Sequence, residues 1–443
     1  MFSFAGSCWM CEGEQQETIE RLVSAGLIKW DNKRSLPLKS GGKTDIYVNL
    51  RSMRSRPYVM KFLGQLYGNP LRRLRVDRFV EVPEAVSLLA GVVSTETNIP
   101  AVTIREEEKE GRVVSGKLIG DLNAGDRVAI IDDVITDGAS KVPALNLLAQ
   151  NGAETAGIVV LCDRQQGWKK KLVAAGFPNV GVWAGFTLHD VRKYLVEQKL
   201  MQRCDPAVEA KNPIIVALDG KSWDEILPLV DQLRTTGCIL KVNDLLFYKG
   251  IEWLLPNLSV YGRVMADLKG HDIKNTLENI SRHFSACPPW AVTVHASGGA
   301  EMIKATRAKL NEVGASSTKI LAVTVLTSID PVTCEEVYAR RPLEQVLRLA
   351  KIAVDAGADG FVCSAQEVGA LNSGNAARPG LEYVTPGVRS PGADVHDQAR
   401  VDTPANAKAN GASKQVMGRQ ILGAKDPVAE VQRVLTEELG VTL

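Results

Sequence analysis

The stretch Arg263-Val264-Met265-Ala266-Asp267-Leu268-Lys269-Gly270-His271-Asp272 decides the fold of the second half of the chain. A short apolar run passes directly into alternating charges, as in a buried strand that ends at a polar surface. Seven further apolar runs stand between residues 212 and 443: Ile214–Leu218, Cys238–Val242, Ala291–Val294, Ile320–Leu326, Gly360–Cys363, Glu382–Thr385 and Gln415–Met417. Amphipathic stretches such as 223–234 and 343–356 separate most of them. Eight βα units in about 230 residues predict a closed (β/α)8, or TIM, barrel over residues 212–443.

Polar residues follow nearly every one of these runs. In chain order they are Asp219, Lys241, Asp267 with Lys269, His295, Thr327, Ser364, Arg389 and Arg419. Barrel enzymes carry their chemistry at the C-terminal ends of the strands. The sequence therefore predicts an active site at this end.

Three of these residues and the nearby Asp272 form a group of charges that alternate in sign: Lys241, Asp267, Lys269 and Asp272. Strand periodicity predicts that Asp267 and Lys269 point to the same side, towards the barrel mouth. A salt-bridged rim is the ordinary alternative for such charges. Because like and unlike charges converge at the functional end of a barrel, we favour a catalytic group.

The first half of the chain alternates strand-like and helical segments. Strands are predicted near residues 46–50, 78–82, 101–104, 128–131 and 158–161, with helices near 14–25, 85–95 and 141–151. This alternation predicts an α/β domain with a mostly parallel sheet over residues 1–205. The polar segment Met201–Asn212, which contains Asp205-Pro206 and is followed by Pro213, predicts the domain boundary.

A second candidate site lies in the run Ile130-Ile131-Asp132-Asp133-Val134-Ile135-Thr136-Asp137-Gly138-Ala139-Ser140. An apolar strand reaches two acids, then a turn of small residues and a helix. Backbone N–H groups of such a turn at a helix N-terminus can hold a phosphate. The acids can bind ribose hydroxyls or a magnesium ion, and an ordinary helix cap is the less favoured alternative.

Composition narrows the class of protein. The 443 residues carry a formal net charge of +2, which argues against nucleic acid or a membrane surface as the main partner. No apolar run is long enough to span a bilayer, and the first residues lack the pattern of a secretory signal. Among eight scattered cysteines, only Cys8 and Cys11 form a C-x-x-C pair, which we interpret as reduced thiols rather than a zinc site. A cytoplasmic enzyme acting on small molecules is expected.

Seven strings of the second half resemble the orotidine 5'-monophosphate decarboxylase family, in family order. They are ALD at 217–219, DLKGHDIKNT at 267–276, VHASGG at 294–299, VTVLTS at 323–328, TPGVR at 385–389, DQAR at 397–400 and GRQI at 418–421. The resemblance covers residues 212–443 and implies decarboxylation without a cofactor.

The resemblance also implies roles for individual residues. Lys241, Asp267, Lys269 and Asp272 match the family's charged network, in which Lys269 would protonate the carbon that loses carbon dioxide. Asp272 would reach the site of a neighbouring subunit, which implies a homodimer. The expected substrate contacts are Asp219 and Thr276 for the ribose, Thr327 and Ser328 for the pyrimidine, and Gln398, Gly418, Arg419 and nearby Arg389 for the phosphate.

Two departures and one rival qualify this prediction. Asn243 stands where the family usually has Gly, and Gln420 where it usually has Pro, yet neither position supplies a reacting group. Magnesium-dependent sugar-phosphate synthases and decarboxylases of the same barrel superfamily share an Asp-x-Lys-x-x-Asp pattern. Thr327-Ser328 and the Gln398 segment favour the nucleotide enzyme.

The first half is similar to the orotate phosphoribosyltransferases of the type I phosphoribosyltransferase fold. The similarity rests on the phosphate loop, on LKSGGKTDIYVNLR at 38–51 and on CDRQQG at 162–167. It implies magnesium carried with phosphoribosyl diphosphate, and a catalytic loop at 105–116 that closes over the diphosphate. The implied contacts are Lys39 and Tyr47 near orotate and diphosphate, Asp132 and Asp133 on the ribose, Thr136, Asp137, Gly138, Ala139 and Ser140 on the 5'-phosphate, Arg164 on the orotate carboxylate, and Arg105 with Lys109 in the catalytic loop.

Departures are more serious in this half. Glu106 replaces a lysine of the family loop, Gly111 replaces a ring, Glu81 replaces a common Gly, and Asp137 puts a carboxylate inside the phosphate loop. Each added carboxylate opposes a polyanionic ligand unless it points away. They predict weak or absent transferase activity.

The domain order resembles the bifunctional uridine 5'-monophosphate synthases. Three hypotheses follow: a synthase that converts orotate to orotidine 5'-monophosphate and then to UMP, a decarboxylase whose transferase-like domain serves binding or assembly, and the magnesium-dependent sugar-phosphate rival.

Overall fold

The computed structural model describes residues 8–37, 43–82, 86–109, 116–392 and 402–443, with only the backbone given for 106–109, 116 and 117. Its contacts divide the chain between Met201 and Gln202 into two compact units. No helix among the described residues is long and apolar enough to cross a membrane.

The first unit is built on a six-stranded sheet. The unit's strands are β1 (Ile28–Trp30), β2 (Leu36–Pro37), β3 (Lys43–Thr44), β4 (Ile46–Val48), β5 (Arg78–Glu81), β6 (Ala101–Lys109), β7 (Gly116–Ile119), β8 (Arg127–Ile135), β9 (Glu154–Asp163) and β10 (Val182–Thr187). The main sheet has the order β10-β9-β8-β5-β6-β7 and is parallel except for β6 with β7. The predicted α/β domain with a mostly parallel sheet is therefore confirmed.

Helices cover this sheet and bury its apolar strands. They are α1 (Glu12–Ser24), α2 (Pro57–Leu74), α3 (Ser87–Thr97), α4 (Val142–Gln150), α5 (Trp168–Ala174) and α6 (Leu188–Glu197). The predicted strand at 46–50 is β4, which pairs antiparallel with β1 outside the main sheet. The antiparallel register with Ile28–Trp30 uses its backbone groups, so β4 adds nothing to the parallel sheet.

The second unit contains the predicted closed barrel. Its eight parallel strands are β11 (Ile214–Ala217), β12 (Ile239–Val242), β13 (Val264–Gly270), β14 (Ala291–His295), β15 (Lys319–Val323), β16 (Gly360–Val362), β17 (Glu382–Thr385) and β18 (Lys414–Met417). Strand β18 pairs with β11 and closes the ring. All eight predicted runs are strands.

Helices connect or flank the barrel strands. They are α7 (Pro206–Lys211), α8 (Trp223–Leu233), α9 (Asp244–Lys249), α10 (Ile251–Ser259), α11 (Lys274–Ser281), α12 (Ala300–Glu312), α13 (Pro331–Tyr338), α14 (Pro342–Asp355), α15 (Val368–Ser373), α16 (Pro404–Ala409), α17 (Arg419–Leu422) and α18 (Pro427–Arg433). The segment that we interpreted as a polar boundary contains α7, whose N-terminus is capped by the Asp205 side chain at the Ala207 N–H. Pro206 at the first helical position suits this start.

Inside the barrel, one residue from each of six strands forms an apolar layer. The members are Ile215, Ile239, Met265, Ala291, Leu321 and Val384. Because side chains of a strand alternate between faces, the residue two positions further along each strand also points inwards. This layer therefore supports a second inward layer nearer to the C-terminal mouth.

Candidate active sites of the two units

The second inward layer of the barrel is polar. Lys241, Asp267 and Thr293 each lie two residues beyond a member of the apolar layer, on neighbouring strands β12, β13 and β14. Their side chains are all buried. The period of two along each strand is enough to place them there. The apolar layer keeps water away from one side of the group.

A continuous chain of ion pairs links Lys241 and Asp267 of this layer with Asp219 and Lys269. Lys241 Nζ lies 2.5 Å from Asp219 Oδ2 and 2.9 Å from Asp267 Oδ2, and Lys269 Nζ lies 2.6 Å from the same Asp267 oxygen. The Asp267 side chain is 7% exposed, whereas that of Lys269 is 38% exposed. The buried carboxylate thus holds an ammonium group that remains open to the mouth.

Charge compensation keeps this group ionised. Burial by itself would raise the pKa of Asp267, but the ammonium groups of Lys241 and Lys269 hold it below its ordinary value. Burial would lower the pKa of Lys241, and Asp267 and Asp219 together raise it above its ordinary value. Asp267 and Lys241 are therefore both charged at neutral pH, although both are buried.

Two residues to which the sequence analysis gave no role in the site hold Asp267 and Lys269 in place. Thr293 Oγ1 donates to Asp267 Oδ1 (2.9 Å) and accepts from the Lys269 backbone N–H (2.8 Å). Asn243 Nδ2 donates to the Asp267 carbonyl (2.6 Å), so this departure from the family supports the site. Threonine is common in strands, so the sequence carried no signal that set Thr293 apart.

The contact between Asp267 and Lys269 agrees with the prediction that they share a side. The backbone of β13 around these two residues is less regular than that of a simple strand. The register of β13 with β14 shifts between Ala266 and Gly270, and Lys269 has a φ of +51°. Such a bulge re-aims a side chain and costs a non-glycine residue some backbone strain. The hydrogen bond to Thr293 offsets that strain.

Asp272 lies outside the charge chain. Its Oδ1 accepts from the Ile273 N–H (2.6 Å) and from Thr276 Oγ1 (3.2 Å), and it is exposed. The predicted ribose contact Thr276 is therefore held by Asp272 at the start of α11. Within the described part of one chain, the fourth predicted network member contacts neither lysine.

Two histidines border the mouth. The His271 and His295 rings lie 5.4 Å apart. Burial, with the nearby His271 and Lys269, lowers the pKa of His295, so its imidazole is neutral at pH 7. His295 therefore adds no positive charge beside Lys269.

The residues predicted to bind phosphate and pyrimidine follow three other strands. Gly418 precedes α17, which begins with the exposed Arg419 directly after β18. The Arg389 N–H donates to the Asp402 carbonyl (3.0 Å) after β17. Thr327 is buried and Ser328 exposed after β15, while the predicted contact Gln398 lies outside the described residues.

In the first unit, β8 extends through both predicted acids to Ile135, further than the sequence predicted. The turn that follows has Gly138 at φ +81°, a conformation that favours glycine, and leads through a short 3-10 turn into α4. The predicted strand, turn and helix start of the phosphate loop, with Thr136, Ala139 and Ser140, are therefore present.

Lys141 lies beneath this loop and was missed by the sequence analysis. Its buried ammonium pairs with Asp132 Oδ2 and donates to Ser140 Oγ (2.9 Å) and to the Val134 carbonyl (3.2 Å). Burial, with the adjacent Asp132 carboxylate, raises the pKa of Asp133 to about 7. The two strand acids consequently carry less negative charge than their sequence implies.

Asp137 and Glu81 are the departures that the described side chains include. Asp137 Oδ1 accepts from the Ala139 N–H (3.1 Å), so it turns onto one of the loop donors. Glu81 is 3% exposed, and its Oε1 accepts from Thr103 (2.6 Å). Its Oε2 has no hydrogen-bond partner among the described residues.

The other predicted transferase residues are spread over several elements. Tyr47 lies in β4, Arg105 in β6, and Arg164 follows β9 with its N–H donating to the Ile135 carbonyl (2.9 Å). Lys39 and Gly111 lie outside the described residues, as do the side chains of Glu106 and Lys109. The predicted catalytic loop at 105–116 is therefore described only in part.

Neither unit offers a ready-made metal cage in the described ranges, where no three His, Cys, Asp or Glu residues group as ligands. Asp132 is already paired with Lys141. A magnesium ion at the first site would depend on oxygens of its own phosphate ligand, as this ion commonly does.

Comparisons with known proteins agree with the geometry of both units. Residues 212–434 match the family described as orotidine 5'-phosphate decarboxylase / HUMPS family, and residues 77–187 match the phosphoribosyl transferase domain. An orotidine 5'-phosphate decarboxylase of Pseudomonas aeruginosa is 41% identical over 232 residues, 52% of this chain and 98% of that protein. The one from Haemophilus influenzae is 41% identical over 229 residues, 51% of this chain and 98% of that protein.

Among solved structures, the chain is similar to the orotidine 5'-phosphate decarboxylase from Lactobacillus acidophilus. The two are 36% identical, with a TM-score of 0.44, over 51% of this chain and 98% of that one.

Proposed function

The chain belongs to the orotidine 5'-phosphate decarboxylase / HUMPS family, and on that premise we propose that it performs the last two steps of UMP synthesis. Its first unit transfers a phosphoribosyl group to orotate, and its barrel decarboxylates the resulting orotidine 5'-monophosphate. The observation that carries the proposal is the ion-pair chain Asp219–Lys241–Asp267–Lys269 at the barrel mouth.

Lys269 is the catalytic acid of the decarboxylation. When the bond between the pyrimidine ring and its carboxylate breaks, carbon dioxide leaves and the electron pair stays on the ring carbon. The Lys269 ammonium stabilises that carbanion and donates its proton to it, forming the new C–H bond. Solvent returns the proton, since the Lys269 side chain is 38% exposed. No cofactor is needed for this step.

Asp267 has two effects on the reaction. Its low pKa keeps it ionised, so it holds the Lys269 side chain by an ion pair and aims it at the mouth. It also crowds the substrate carboxylate with a second negative charge, a repulsion that ends when carbon dioxide departs. Lys241 offsets the cost of burying this carboxylate.

The remaining contacts orient the nucleotide. Asp219 and Thr276 bind the ribose, and Thr327 and Ser328 bind the pyrimidine. The phosphate is held by Gln398, Arg389 and the backbone and side chain of Gly418 and Arg419. Binding energy from the distant phosphate positions the reacting carbon against Lys269.

The working form is a homodimer in which Asp272 completes the site of the other subunit. Its carboxylate is exposed and has only local contacts among the described residues. Large apolar side chains stand exposed on the segments after β12 and β13: Phe247 at 70%, Tyr248 at 77% and Ile273 at 69%. If a second copy covered these side chains, each Å² of apolar surface removed from water would stabilise the dimer by about 25 cal/mol.

The first unit takes the magnesium complex of phosphoribosyl diphosphate as substrate, together with orotate. Lys39, Tyr47 and Arg164 bind orotate and diphosphate, Asp132 and Asp133 the ribose, and residues 136–140 the 5'-phosphate. Arg105 and Lys109 close over the diphosphate. Lys141 supports this proposal, because it neutralises Asp132 beneath a loop that must accept an anion.

Small-molecule substrates are the expected partners, in the cytoplasm and without nucleic acid or a membrane. The nearly balanced charge of the chain supports this view. The alternative is a decarboxylase whose first unit only binds or assembles. Glu81, buried with one unpartnered oxygen among the described residues, favours that alternative.

One assay separates these possibilities. Full-length protein is given orotate, phosphoribosyl diphosphate and magnesium, while orotate loss and UMP formation are followed together. Loss of orotate with formation of UMP supports both steps. Decarboxylation of added orotidine 5'-monophosphate without orotate consumption selects the alternative. Decarboxylation that stops when a chelator is added would instead favour the magnesium-dependent rival.

A further inference from the structure

A second side-chain network joins the ends of β17 and β18. It consists of Ser390, Gln420, Glu430, Arg433 and Glu438, and we call it the Gln420 clamp. The Ser390 N–H donates to Gln420 Oε1 (3.0 Å), and Gln420 Nε2 donates to Ser390 Oγ (2.6 Å) and to Glu430 Oε1 (2.7 Å). Gln420 thereby uses its acceptor and both of its donors.

Arg433 on α18 completes the clamp from below. Its guanidinium donates to Ser390 Oγ (2.8 Å), Glu430 Oε1 (2.8 Å) and Glu438 Oε1 (2.9 Å). Ser390 Oγ in turn donates to Glu438 Oε1 (2.5 Å). Hydrogen bonding to Glu430 raises the pKa of Arg433, so it stays charged. Ser390 therefore accepts two hydrogen bonds and donates one, which saturates its hydroxyl group.

The clamp lies directly beside both of the arginines that are predicted to contact the phosphate. Ser390 follows Arg389, and Gln420 follows Arg419. The backbone N–H of Arg389 itself donates to the Asp402 carbonyl. The two arginines come from different strands, and Gln420 ties one segment to the other through its two hydrogen bonds with Ser390.

We propose that Gln420 is a positioning residue for phosphate binding, which fixes the Arg389 segment against the Gly418–Arg419 turn before the nucleotide arrives. The proposal rests on the proposed decarboxylase function. It concerns the side chain at a position where this chain departs from the Pro usual in the family. Preorganised donors bind an anion more tightly because less ordering remains to be done on binding.

Two substitutions test the clamp. Gln420→Leu removes every polar contact, and Gln420→Glu keeps the shape while losing both donors beside Glu430. Gln432→Leu, at an exposed glutamine on α18, is the matched control. Calorimetry measures the binding of UMP, which has the phosphate, and of uridine, which lacks it. The decarboxylation of orotidine 5'-monophosphate is followed in parallel.

We expect Gln420→Leu to weaken UMP binding about tenfold, with Gln420→Glu at least as severe. Uridine binding stays within about twofold of the parent, and KM for orotidine 5'-monophosphate rises with the dissociation constant of UMP. Ser390→Ala, a milder change at the other end of the clamp, must show the same selectivity if Gln420→Leu fails to fold. Equal losses for UMP and uridine would indicate general loosening and overturn the proposal, as would unchanged UMP binding. A parent chain that binds UMP without decarboxylating orotidine 5'-monophosphate refutes the proposed function but leaves the binding test intact.

Discussion

Replacing Thr293 by valine tests how the catalytic pair is held. The substitution keeps the volume of a fully buried side chain and exchanges its hydroxyl group for a methyl group. It removes one charge-assisted hydrogen bond to Asp267 and leaves the Lys269 backbone N–H without its acceptor. No other side chain in the described contacts takes over either role.

The magnitude follows from these two bonds. Losing a hydrogen bond to a charged group costs about 1.5–3 kcal/mol, and a buried donor left without a partner costs about 1–3 kcal/mol. Because the carboxylate keeps both lysine partners, we expect the free energy of unfolding to fall by about 3 kcal/mol. Lys269 loses the contact that holds its left-handed backbone, and misplacing a catalytic group by about 1 Å can cost 100-fold in rate.

The pH dependence has a definite sign. A carboxyl group whose pKa is lowered on folding stabilises the protein above its unfolded pKa, and this contribution is lost as pH falls through the folded value. Valine removes a donor from Asp267, so the folded pKa rises towards the ordinary value of 3.8. The free energy of unfolding and kcat/KM both fall as the solution is made acidic, and in the variant this fall should begin at a higher pH.

Chemical denaturation and steady-state kinetics measure these effects. Thr293→Ser retains the hydroxyl group and should lose only about 1 kcal/mol for the missing methyl group. Thr306→Val in α12 is a matched control, because Thr306 is buried and donates only to the Met302 carbonyl among the described contacts. A Thr293→Val protein within about 0.5 kcal/mol of the parent, with the parent's kcat/KM, would refute the reasoning.

Three further outcomes are expected. Lys269→Ala should reduce decarboxylation at least ~1,000-fold and leave orotate consumption unchanged, and near-parental UMP formation would contradict the mechanism. Mixing Lys269→Ala chains with Asp272→Ala chains should restore part of the activity that each lacks alone, because a mixed dimer contains one complete site. If dimers shown to be mixed recover no activity, Asp272 does not contribute to the site of the neighbouring subunit. Lys141→Met should destabilise the first unit by about 3 kcal/mol, since Asp132 is left buried without its cation, and raise KM for phosphoribosyl diphosphate while decarboxylation is unchanged. An unchanged KM would show that the loop does not need this ammonium group.

Much of the barrel could be predicted because its signals are local. A parallel strand buried on both faces is an apolar run, and the polar residue at its end marks the mouth. All four members of the ion-pair chain could be placed at the mouth for this reason, although the sequence analysis grouped Asp272, and not Asp219, with the other three. Helix α7 was missed because it lies in a short polar segment without an apolar period.

The supporting residues had no such signal. Thr293 looks like an ordinary strand residue, and Lys141 like the first solvated residue of a helix. Their roles depend on which strand or loop lies beside them, which is a matter of register and chain path. Asn243 and Gln420 could be noticed as departures, but their contacts to Asp267 and Ser390 could not be foreseen.

The sequence by itself determined the two α/β units, the number of barrel strands and the end at which their charges gather, because each depends on the period of apolar residues along one segment. Only the tertiary structure decided that Asp267 is shared by two lysines, that a bulge at Lys269 is held by Thr293, and that Asp272 stands apart from them. These are distances between segments far apart in the chain, and closure of the barrel fixes them. The strength of a hydrogen bond changes within fractions of an ångström. The period of a segment can therefore indicate which residues lie at the mouth, but not which of them bind one another.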